Sequence, residues 1–172
     1  MTEEQFVGRA QNAILAFFEL RLAFPKIYLD AEWAGIRVDV LAIERDGLGD
    51  VHLARLYKRQ YFSDSGLLNI VSEAQDAVAF IDEYASAPAQ FKYIAAVDDG
   101  SHDSRFPYSG AVMEKALSAD GFGRIGFLRV DVIPDREARA ELISKPERFR
   151  ARVNQLADDY VGHHTADWEL RA

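Results

Sequence analysis

Between residues 3 and about 22 the apolar positions Phe6, Ala10, Ala13, Ile14, Phe17 and Leu20 recur every three or four residues, the period of one helix face. Pro25 follows the end of that pattern, where a helix cannot continue. The period then changes. Lys26 to Asp30, Ile36 to Glu44 and Val51 to Lys58 are β-branched or aromatic runs bounded by Gly, Asp or Pro, and they predict a meander of antiparallel strands. The intervening "RDGLGD" contains Asp46-Gly47, a pair that tolerates positive φ and suits a hairpin connection.

Helical spacing returns from Leu67 to Tyr84 with Ile70, Ala74, Ala77, Val78, Ile81 and Tyr84, after a start signal at Ser65-Gly66. "FKYIAAV" at 91 to 97 is almost continuously apolar, as in a strand buried on both faces. The polar stretch "DDGSHDSRFPYSG" reads as a long loop, a helix at about 110 to 119 follows, and Arg124 to Ile133 is a strong strand. Asp135 to about Val161 reads as helical with a break at Pro146. This order (α, β, β, β, α, β, α, β, α, α) predicts an α/β fold: a mixed β-sheet sandwiched by helices, in a single domain over residues 1–172.

Composition narrows the function classes. The chain has 172 residues, 49% of them hydrophobic, enough for one packed core. It has no cysteine, which removes disulfides, thiol nucleophiles and Cys-ligated zinc and suits a cytoplasmic location. No apolar run approaches the roughly 18–20 residues of a membrane-spanning helix, so no membrane partner is expected. A formal net charge of -8 argues against strong non-specific binding to nucleic acid. Two local basic clusters stand against that total: Arg55, Lys58 and Arg59, and Lys145, Arg148, Arg150 and Arg152, the second read as a solvated helix face interleaved with Glu147.

Most motif-like stretches have plain explanations. "GFGRIG" at 121–126 precedes a strand, the reverse of a phosphate-binding turn, so Gly121 and Gly123 read as a helix cap and turn. His163 and His164 are adjacent in a tail that also carries Trp168, and His102 with Asp98, Asp99 and Asp103 reads as a solvated loop. What remains is Asp39 on the second predicted strand and Lys58, 19 positions on, at the end of the third. Side chains two apart share a strand face, so His52, Ala54, Leu56 and Lys58 should line up, with no carboxylate among them.

"GIRVDVLAI" followed by "VHLARLYK" resembles the core of the PD-(D/E)xK nuclease superfamily, with Asp39 at the position of the strand aspartate and Lys58 at that of the lysine. The resemblance covers roughly residues 1–97 and implies a restriction-endonuclease-like fold with an αβββαβ core. In that family two acids hold Mg²⁺ beside the scissile phosphate and the lysine positions the attacking water. Here the motif is degenerate, because Leu56 stands where the second acid belongs. Some family members supply the acid from the following helix, which makes Glu73 the candidate replacement ahead of Asp76; Glu19, Asp30 and Glu32 are further acids in range. Arg37, two residues before Asp39, would neutralise it.

Three readings follow. The first is a catalytically inactive or weak nuclease-like domain acting as a nucleic-acid-associated or protein-interaction module, with DNA or protein as partner. The second is a Mg²⁺-dependent nuclease with Asp39 and Glu73 as metal ligands and Lys58 beside the water. The third is an unrelated α/β protein that uses an aromatic-rich surface to oligomerise.

Overall fold

The computed structural model describes residues 3–57, 70–98, 109–118, 124–133 and 135–150. Helix α1 (Glu3–Arg21) leads into strands β1 (Lys26–Trp33) and β2 (Ile36–Ile43). A one-turn segment α2 (Glu44–Gly47) precedes β3 (Val51–Tyr57), which is followed by α3 (Ile70–Ala85), β4 (Phe91–Asp98), α4 (Ser109–Leu117), β5 (Gly126–Asp131) and β6 (Arg139–Ser144). The strands form one six-stranded sheet in the order β1-β2-β3-β4-β5-β6. Pairing is antiparallel for β1/β2, β2/β3 and β5/β6, and parallel for β3/β4 and β4/β5, where helical crossovers join the strands. The expected mixed sheet between helices is present.

Each face of the sheet has its own core. Phe6, Ile14 and Phe18 of α1 pack on Leu29, Val40, Ala54, Leu56, Tyr93 and Leu128. On the other side, Ala77, Ile81 and Tyr84 of α3 and Met113 and Leu117 of α4 pack on Leu41, Leu53, Ile94 and Phe127. Burying one such side chain contributes on the order of 1.5–3 kcal/mol. Strand β4 lies in the middle and is buried on both faces, as its apolar run predicts. Two positions assigned to helix faces are instead in water: Leu20 at the end of α1 and Val78 on α3.

The connections show how local chemistry shapes the sheet. Ala34 and Gly35 both have positive φ, the pattern of a two-residue hairpin loop joining Trp33 to Ile36. Between β2 and β3, Arg45, Asp46 and Gly47 are all left-handed, and Glu44 N–H donates to Asp50 O at 3.0 Å to close the turn. Gly49 is required there, because a Cβ would lie 2.9 Å from the Glu44 carbonyl oxygen. The turn expected around Asp46-Gly47 is present in this longer form.

One expected element is wrong. The helix read from Asp135 onward is instead strand β6, an edge strand on β5. Ala, Arg, Glu and Leu favour helix intrinsically, yet Ala138, Ala140 and Leu142 alternate and pack towards the α1 core. The open edge of β5 offers a hydrogen-bond ladder, interrupted by one irregularity at Phe127/Leu128, and this outweighs a propensity of a few tenths of a kcal/mol per residue. The basic cluster from Lys145 is accordingly no helix face over its described residues. After β6 the chain crosses the starts of β5 and β4, with Glu147 N–H on Arg124 O and Phe149 N–H on Gln90 O. Arg148 forks onto Asp50 at 3.0 and 3.1 Å.

Candidate functional site

Asp39 lies where β2 and β3 part. Regular pairing of these strands ends at Val40↔Ala54. Beyond it the Asp39 carboxylate replaces a ladder acceptor: the Leu56 N–H donates to Asp39 Oδ2 at 2.7 Å. On the other side of Asp39, Asp30 of β1 has φ +47, and residues 30 and 39 drop out of the otherwise continuous β1/β2 register. Gln11 of α1 closes this kink, its side-chain amide donating to Asp30 Oδ1 at 2.7 Å and to the Asp39 carbonyl at 3.4 Å. Two aspartates thus stand at one break in the sheet, where short side chains can bond backbone groups the ladder leaves over.

On the α3 side of the sheet, charged and polar groups come from β3 and the last turns of α3. Arg55 spreads its guanidinium over the Phe80 ring at 4.5 Å and reaches Glu83 at 3.4 Å. Tyr84 is fully buried and donates its hydroxyl proton to Leu53 O at 2.6 Å. Burial holds the Tyr84 phenol well above its usual range, with Arg55 pulling it down and Asp39 pushing it up. The expected partner Arg37 is exposed and stands opposite Glu32 on the outer part of the hairpin.

The other expected site residues are placed only partly. Glu73 lies in the first turn of α3, its side chain outside the described residues. The helix meets β3 through Phe80, Glu83 and Tyr84, and Glu73 precedes Phe80 by two turns, a rise of about 10 Å. Asp76 is exposed on the same helix and Glu19 is exposed on α1. Lys58 and Arg59 lie outside the described residues, as do His102, Asp99, Asp103, Gly121, Gly123, Arg152, His163, His164 and Trp168. Among the described residues no group of three or more His, Cys, Asp or Glu side chains gathers in a way that could hold a metal ion. The Asp39 carboxylate accepts from the Leu56 N–H and the Asp30 carboxylate at the same break accepts from Gln11, whereas Mg²⁺ takes near-octahedral oxygen ligands.

At the opposite end of β3 the fold builds a polar cluster that sequence reading passes over. His52 is buried between the rings of Phe91, stacked at 4.6 Å, and Phe18 at 5.8 Å. Its Nε2 faces Glu44 Oε2 at 3.0 Å and its Nδ1 faces the Tyr93 hydroxyl at 3.2 Å. A neutral imidazole satisfies both contacts, donating from Nε2 and accepting at Nδ1. Burial lowers the imidazole's proton affinity, and Glu44 and Asp50 only partly oppose this. The same burial, helped by Glu44 and opposed by Arg21, pushes the Tyr93 phenol up to about 12. The only local signal was a histidine inside an apolar run; its partners lie 8 and 41 positions away.

This cluster sets an expected pH dependence. The folded imidazole releases its proton at a lower pH than the unfolded one, so the unfolded chain binds more protons between the two values. Stability is therefore complete above the unfolded value of about 6.5 and is lost as pH falls below it. A second loss begins below the ordinary carboxylate value, because the Arg148 fork lowers the Asp50 pKa. Urea midpoints measured from pH 8 to 5 should fall towards acid, and His52→Gln should flatten that fall. An unchanged slope in the variant would refute this role for His52.

A cavity of about 500 Å³ opens beyond β5, lined by Asp131, Ile133, Arg136, Glu137 and Arg139. Arg9 of α1 ties its rim by donating to the carbonyls of Ile133 and Arg136. It is separated from Asp39 by three strand steps, about 14 Å, and both charge signs line it, so it does not extend the Asp39 site.

No family model and no curated protein matches this chain. Among solved structures, a protein of unknown function from Silicibacter pomeroyi superposes with a TM-score of 0.50 at 14% identity, over 93% of this chain and 82% of that one. At that identity the likeness is one of fold alone.

Proposed function

We propose that this chain is a non-catalytic domain of the restriction-endonuclease-like type, in which Asp39 persists as a structural cap and the domain works by binding a partner. The arrangement α1-β1-β2-β3-α3-β4, with β1, β2 and β3 antiparallel neighbours and β4 parallel to β3, supports that type. One observation carries the loss of catalysis: Leu56, at the place of the second acid, is 4% exposed and sits in the core beneath α1. A ligand there would need a carboxylate and water where the protein has packed apolar atoms, and burying an unpaired charge costs several kcal/mol. With a net charge of -8, a protein partner is favoured over a nucleic acid one.

The test joins activity to stability. Supercoiled and single-stranded DNA incubated with the protein and Mg²⁺ or Mn²⁺ should show no nicking that Asp39→Ala or Lys58→Ala removes. Metal-dependent cleavage lost in both variants would overturn the proposal in favour of the nuclease. Asp39→Ala should instead cost about 1–3 kcal/mol of stability by leaving the Leu56 N–H unpaired, while Asp39→Asn, which keeps an acceptor oxygen, recovers most of it.

A further inference from the structure

The cavity beyond β5 has a lining whose charges the fold does not pair off. It opens at the carboxyl end of the last parallel strand, the end outside which open α/β sheets hold their ligands. Its volume of about 500 Å³ is that of a small-molecule site. Two charges that the register sets side by side are parted there. Asp131 and Arg139 are direct partners across β5 and β6, and opposite charges so placed ordinarily pair. Instead the Asp131 carboxylate is taken by Arg129 of its own strand at 3.2 Å, and Arg129 also reaches Glu141 at 3.6 Å. Among the described residues Arg139 is left with no ion-pair partner, and so is Arg136; both are exposed and line the cavity. Ile133 adds an apolar wall.

The turn that carries these arginines is fixed from outside. Arg9 of α1 donates to the carbonyls of Ile133 and Arg136, and the Arg136 N–H donates to Ile133 O at 3.3 Å. A backbone held in this way sets the spacing of Arg136 and Arg139 before a ligand arrives, which lowers the entropic cost of binding one.

We propose that this cavity binds a small organic anion, its carboxylate or phosphate group held between Arg136 and Arg139 and the rest of the molecule lying against Ile133. A guanidinium fork matches the oxygen edges of such groups and holds them bidentately. An anion there also relieves the repulsion between two unneutralised arginines on one short segment. Glu137 lines the same cavity and opposes a bound anion. The inference does not depend on the reading of Asp39, three strands away in the sheet.

The test titrates the full-length protein with inorganic phosphate and with succinate, followed by isothermal titration calorimetry. At least one of the two should bind in the millimolar range. Arg136→Gln and Arg139→Gln should each weaken that binding about tenfold, the loss expected for one charge-assisted contact. Arg37→Gln, on the outer part of the β1-β2 hairpin, should leave it unchanged. Glu137→Gln should tighten it about threefold by removing a like charge. All four side chains are exposed, so the fold should tolerate these changes. Failure of both anions to bind would overturn the proposal, and so would equal weakening by all three arginine variants, the result of a general charge effect. Weaker binding in Glu137→Gln would overturn it as well, because a ligand that needs both signs of charge is not a simple anion.

Discussion

Trp33→Ala is expected to lower the unfolding free energy by about 3–5 kcal/mol, a large part of the roughly 5–15 kcal/mol that holds a domain together. Trp33 ends β1 and is fully buried in the core shared with Tyr84, Ala87 and Ala89. Its indole N–H donates to Pro88 O at 2.7 Å, which ties the outer part of the β1-β2 hairpin to the link between α3 and β4. The kink at Asp30 and Asp39 is what allows this part of the hairpin to belong to the α3 core. Trp33→Phe keeps most of the apolar volume and loses the donor, so its cost should be about 1–2 kcal/mol. Urea denaturation at constant slope measures both, and a loss below 1 kcal/mol for the alanine variant would show that the hairpin is held by other contacts.

Lys92→Ala should be the second most damaging change, at about 2–5 kcal/mol, with Lys92→Met within about 1 kcal/mol of the parent. Lys92 is on the central strand and only 2% exposed. Its ammonium donates to the carbonyl of Ala85, the last residue of α3, where unpaired carbonyls concentrate negative potential. The ring of Phe149 covers it at 4.1 Å, within cation-π range. Burial lowers the lysine's proton affinity, so the charge carries a desolvation penalty that methionine avoids while filling the same space. Alanine removes the stem and leaves both a void and an uncapped carbonyl. If methionine proved as damaging as alanine, the helix cap would outweigh the packing.

Local patterns made much of this architecture readable in advance. The face of α1, the three strands from Lys26 onward and the buried run at 91–97 all follow from periodicity and β-branched composition, because the forces that shape them act within a few residues. The segment after Asp135 misled for the same reason. Its residues favour helix when considered alone, and only the vacant edge of β5, brought near by folding, makes strand the better state. Leu20 is a smaller case: it keeps the helical period of α1 yet is exposed, while Leu22, two residues further on, packs against the α1 core.

The Asp39 region divides along the same line. That Asp39 lies on a strand beside an apolar run is a matter of sequence order, and so is the absence of an acid at Leu56. That its carboxylate is held by the Leu56 N–H, beside a kink shared with Asp30, is a matter of sheet register between strands 17 positions apart. The His52, Glu44 and Tyr93 cluster and the Lys92 cap on α3 arise in the same way, from groups distant in the chain. Residue order sets which short segments are helices and strands, since those choices rest on contacts within one or two turns. Which polar groups meet, and whether a carboxylate serves as ligand or as backbone cap, depends on long-range packing, where burial makes each unpaired donor and charge costly enough to choose its partner.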